Sequence, residues 1–131
     1  MTVPIKVSPT EVLDSDEVEM LARALLEWGG PGHASDGLAR GMGFVDAQDL
    51  LEQCLRFVRE LEGNSPIMSA DWARILLATE IVFASDLMGS GTEWRTTTGM
   101  TDEETIVLLR SIQRKLGKVL KGHYGKTPVR P

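Results

Sequence analysis

Ser69-Ala-Asp-Trp-Ala-Arg-Ile-Leu-Leu-Ala-Thr-Glu-Ile-Val-Phe-Ala-Ser-Asp-Leu-Met-Gly-Ser-Gly-Thr-Glu-Trp94 decides how the chain is read. No other segment is apolar for so long. Its first part has the composition of a helix, with Ser69 as cap, Asp71 in the first turn and an apolar run to about Met88. Its second part, from Gly89, is rich in glycine and breaks the helix. A helix this apolar is one that others pack around, so we expect it, over about 70–88, at the centre of the fold.

Working outward, three further helical patterns appear. Val18, Leu21, Ala22, Leu25 and Trp28 recur at helical spacing behind Asp14-Ser15, and Gly29-Gly30-Pro31-Gly32 ends that run. Ala47, Leu50, Leu51, Cys54, Val58 and Leu61 form a stripe behind the cap Asp46. Thr101-Asp102-Glu103-Glu104 is a capping box that opens a last helix, with Leu108, Leu109, Ile112, Leu116 and Val119 on one side. Gly117 weakens the end of that helix, so it stops there or frays to Lys121. Short helices are expected after Ser8-Pro9 and Ser35. Residues 2–7 are β-prone but too few for a sheet and read as an extended arm. The fold class is therefore all-α, a compact bundle of about four main helices with one or two short ones. Residues 1–121 read as a single domain and 122–131 as a flexible basic tail.

Composition narrows the function. The 131 residues carry a net charge of −5, unevenly spread. Residues 1–104 hold all 19 acidic residues and 7 basic ones, a net −12, whereas residues 105–131 hold 7 basic residues and no acid. An acidic body repels nucleic acid and attracts basic surfaces, so nucleic acid is not the expected partner. Arg110, Arg114, Lys118 and Lys121 make a basic stripe on the last helix, well placed against the negative end of its dipole. No stretch of about 18 apolar residues spans a membrane, and the first residues lack the pattern of a signal peptide, so the expected location is the cytoplasm. The lone Cys54 cannot staple the fold and reads as a small core residue.

Motifs for chemistry are few. His33 and His123 are 90 residues apart, and neither an HxxxH pair nor a CxxC occurs, so no metal or cofactor is expected and no catalytic residue is assigned. Gly89-Ser90-Gly91 follows a helix C-terminus, where the dipole is negative, which argues against a phosphate cradle. What remains is the helix end and its loop. Glu80 falls among apolar residues (Leu76, Ala84, Leu87) on a helical wheel. It is read first as a buried structural tie to an arginine, a tryptophan indole or a helix cap, second as a ligand or acid–base group in a groove, and third as exposed. Asp86 opposes the helix dipole and could capture N–H groups of the loop. Glu93 adds to a polar cluster there. Trp94 either folds back onto the bundle or, with Arg95, is offered to a partner. The candidate partner- or ligand-binding residues are therefore Asp86, Glu93, Trp94, Arg95 and Glu80.

These features suit a small acidic protein-binding domain, of which an immunity- or antitoxin-type inhibitor of a basic protein is one concrete form. The alternative is a small-ligand protein or enzyme with its site around Glu80 and the 89–99 loop.

Overall fold

The computed structural model describes residues 6–124, with side-chain burial for residues 6–121. Among the described residues seven α-helices alternate with short turns, and the fold is all-α. In chain order they are α1 (Pro9–Val12), α2 (Ser15–Leu26), α3 (Asp36–Gly41), α4 (Ala47–Glu62), α5 (Ser69–Ala84), α6 (Trp94–Thr98) and α7 (Asp102–Tyr124). Single 3₁₀ turns at Glu27–Gly29 and Gly91–Glu93 follow α2 and precede α6. The extended arm has one β function: β1 (Lys6–Val7) pairs antiparallel with β2 (Ile67–Met68). The Trp72 indole N–H secures that arm by donating to Val7 O at 3.1 Å.

Three of the four long helices start at a side-chain cap, whereas α5 starts at Ser69 itself, with Met68 and not the expected serine at its N-cap. Asp14 and Glu17 form a reciprocal capping box on α2, with both bonds at 2.9 Å. Asp46 Oδ1 accepts from Asp49 N on α4, and Thr101 with Glu104 closes the start of α7. α7 does not stop at Gly117. It continues to Tyr124, because one solvent-facing glycine costs less than the packing of Leu116 and Leu120 on either side of it gains. Residues 122–124 of the expected tail are thus helical, and 125–131 lie outside the described residues.

Two expectations for α5 are corrected. The helix ends at Ala84, not near Met88. Ser85 turns extended, and the chain doubles back so that Ser90 N donates to Val82 O at 2.6 Å. This return needs Gly89: a Cβ there would fall 2.7 Å from Ile81 O and closer still to Val82 O. The inward face is also not the one the wheel selected. Trp72, Ile75, Ala78, Thr79 and Val82 are buried, while Leu77 and Ala84 are exposed and Leu87 is 80% exposed. In a helix that is apolar nearly all round, residue type alone does not choose a face.

The centre of the bundle is shared. α2 packs on α4, α5 and α7, so it touches all three other long helices, and α5 packs mainly on α2 and α7. Met20, Leu21, Ala24 and Leu25 of α2 meet Trp72, Ile75 and Val82 of α5 in one continuous core that also takes in Phe57, Ile112 and Leu116. Trp28 is pinned there by its indole N–H, which donates to Ala78 O at 3.1 Å. On the surface Arg56 of α4 bridges Glu60 and Asp71, tying α4 to the start of α5.

Candidate functional site

The chain after α5 builds the most distinctive polar feature of the molecule. Trp94 is fully buried, packs edge-on against Phe83 with ring centroids 5.2 Å apart, and donates from its indole to Thr105 Oγ1 at 2.7 Å. With Trp94 anchored, α6 is tied to the C-terminal part of α2, where Arg23 Nη1 donates to Thr98 O at 2.7 Å. The Thr97 hydroxyl of α6 reaches Glu27, which is 8% exposed. Glu27 Oε1 accepts from Ser90 Oγ at 2.6 Å and from Thr97 Oγ1. Buried carboxylates need such donors, and here the hydroxyls of the loop supply them. The same bonds hold the loop on α2.

Beside Glu27 runs an open groove of about 660 Å³. Val18, Ala22 and Leu26 of α2 form its apolar floor, and Glu19, Glu27 and Glu62 bring carboxylates to it. Arg23 is the one cation in the lining, and it is already engaged: Nη1 donates to Thr98 O at 2.7 Å and Nη2 pairs with Glu19 at 3.2 Å. A second depression of about 510 Å³ shares Glu19, Arg23 and Thr98 with the first and adds Asp16 and Glu104. The two make a trough with five carboxylates and one arginine along its described lining.

A second buried carboxylate, Glu17, serves packing. It is 1% exposed, caps α2, and accepts from Lys115 Nζ of α7 at 2.7 Å. Burial raises its pKa, but the Lys115 ammonium, the nearby Ser111 hydroxyl and the Asp14 amide together outweigh burial and hold the carboxyl below its usual range. The bond to Glu17 raises the Lys115 pKa in turn. This pair clamps α7 to the start of α2.

The residues singled out from sequence do not converge on one cavity. Trp94 points inward and is not offered to a partner, because its large ring and indole N–H are both satisfied in the core. Arg95 is exposed and lines a separate depression of about 320 Å³ with Thr92 and Asp102. Glu93 is exposed, and its carbonyl lies 3.1 Å from Thr97 Oγ1, whose one proton is directed to Glu27. Asp86 is exposed against Gly91, whose lack of a side chain leaves room for it. The loop N–H of Met88 is captured by Ser85 Oγ at 3.0 Å, so Asp86 does not have the role expected of it. Glu80 is half-buried and accepts from Gln113 Nε2 of α7 at 2.6 Å. Its partner is thus an amide, not an arginine, indole or cap, and it borders a shallow depression with Phe83 and Ile106.

The carboxylates that are enclosed, Glu17 and Glu27, were legible in principle. Both fall on the inward stripe of α2 with Met20, Leu21, Ala24 and Trp28. Acids at a helix start look like ordinary dipole partners, which hid Glu17. Glu27 sits at the opposite end, where an acid opposes the dipole and signals a special partner. Cys54 is buried, and desolvation pushes its thiol up to about 12, which removes it as a nucleophile near neutral pH. Among the described residues no three potential metal ligands gather, and no helix is long and apolar enough to cross a membrane. The chain matches no known protein family, no curated protein and no solved structure.

Proposed function

We propose that this chain is a protein-binding domain that receives a basic segment of another protein in the acidic trough along α2. The observation that carries the reading is the lining of that trough. Glu19, Glu27 and Glu62 stand around the apolar floor of the first groove, Asp16 and Glu104 line the depression that shares Glu19 with it, and the one arginine of the lining is already spent on Thr98 and Glu19. With Glu19 paired to Arg23, the four remaining carboxylates at a concave, partly apolar surface still favour a cationic, amphipathic partner and speed its approach. A cytoplasmic inhibitor that covers a basic surface of a toxin is one concrete form. The lone, buried Cys54 suits a reducing compartment.

A small-ligand function has one supporting observation, since the groove beside Glu27 is within the volume range of ligand pockets, about 300–1,000 Å³. The trough's open shape and concentration of one sign of charge suit a polypeptide better.

The test is crosslinking and capture from the native host with the wild-type chain and with the double charge reversal Glu19→Lys, Glu62→Lys. Both positions are exposed and neither caps a helix start, so the fold should survive. We expect a basic partner that is released by salt and lost with the reversal. A partner bound equally by both proteins would refute the reading.

A further inference from the structure

We infer that the base of the groove beside Glu27 is a receptor for a single lysine side chain of the partner. The inference rests on the protein-binding reading and specifies what that site recognises. Glu27 is more than nine-tenths buried yet borders the groove. Its two oxygens are used unequally. Oε1 is taken by the hydroxyls of Ser90 and Thr97. Oε2 has no hydrogen-bond partner among the described residues. Nor is it sealed, for the enclosed side-chain atoms without partners are Glu17 Oε2 and Thr79 Oγ1. A carboxylate oxygen without a protein donor, not enclosed, on a residue that lines a groove can accept from an incoming donor.

Three features select the donor. The Glu27 carboxylate lies just past the C-terminus of α2, where the helix dipole adds negative potential and favours a cation. Val18, Ala22 and Leu26 offer an apolar bed for a methylene stem, leaving only the charged head to reach Oε2. With Oε1 occupied, the carboxylate cannot take the two parallel bonds that make a guanidinium fork strong. A compact ammonium loses nothing by that restriction. Glu19 and Glu62 at the rim provide attraction during approach.

The probe is a nonapeptide with one lysine between leucines, compared with its arginine and norleucine counterparts. Each is titrated into the full chain and followed by amide NMR shifts. We expect the lysine peptide to move the resonances of Ala22, Leu26, Glu27 and Thr97 and to bind more tightly than either counterpart. Glu27→Gln keeps an Oε1 acceptor for the two hydroxyls but puts an amide donor where Oε2 was. Loss of a bond to a charged group predicts roughly ten- to a hundredfold weaker lysine binding. Thr97 is exposed, and Thr97→Val frees part of Oε1, so it should raise arginine affinity relative to lysine. A thermal melt identifies any fold loss in Glu27→Gln, and in that case the Thr97→Val preference decides alone. Equal binding of lysine and arginine peptides with no change in Thr97→Val overturns the inference. So does unaltered lysine binding by a folded Glu27→Gln. If either occurs while charge reversal at the rim still abolishes capture of the partner, only the lysine receptor is lost and the wider reading stands.

Discussion

Replacing Trp94 separates a core residue from a contact residue. Its side chain is fully buried, and its indole N–H has a single partner, Thr105 Oγ1, at 2.7 Å. Trp94→Ala removes the ring from Phe83 and leaves a large void, a class of change that costs about 3–5 kcal/mol. Thr105→Val is subtler. It leaves the ring in place but strands a buried N–H, which costs about 1–3 kcal/mol. It also removes the Thr105 hydroxyl bond to Thr101 O. Trp94→Phe removes the donor instead and should cost less than Trp94→Ala. The double variant Trp94→Phe, Thr105→Val should cost less than the sum of the two singles, because neither group is then left unpaired across that contact. Urea unfolding followed by far-ultraviolet circular dichroism measures all four. If Trp94→Ala lowers stability by less than about 1 kcal/mol, a figure typical of surface changes, the ring is not core and the description of α6 fails.

Two further predictions concern the ends of the pH range and two glycines. Glu17 has a lowered pKa when folded, so its contribution to stability is present above the ordinary carboxylate range and is lost as pH falls through the lowered value. Lys115 has a raised one, so its contribution is complete below the ordinary lysine value and is lost as pH rises through the raised value. Lys115→Met should therefore soften both limbs of a melting-temperature profile toward flatness, and an unchanged profile would remove the clamp from the account. Gly89→Ala puts a methyl group into the backbone carbonyls of Ile81 and Val82 and should destabilise by about 1–3 kcal/mol or more. Gly117→Ala meets nothing within 4 Å in the exposed middle of α7 and should stabilise by about 0.5–1 kcal/mol. Chemical denaturation of the pair checks both signs.

The helices were legible because caps and periodicity are local. Asp14, Asp46 and the Thr101–Glu104 box announce their helix starts within four residues of sequence, and the stripes behind them repeat every turn. α5 shows where that logic ends. Its run of apolar residues established a helix but not a face, and Glu80, which looked enclosed, is half-buried and bonded to Gln113 of α7.

The site depended even more on distant partners. Glu27, Ser90 and Thr97 are separated by 63 and 70 residues, and no spacing rule connects them. Sequence by itself determined the all-α class, the helix starts and the uneven charge, because these follow from each residue and its near neighbours. Tertiary structure alone decided that Trp94 turns inward, that α2 shares the centre with α5, and that one oxygen of the groove-lining Glu27 has no donor among the described residues. The reason is physical: burial and hydrogen-bond satisfaction belong to the packed whole, where every buried polar atom must find its partner across the chain.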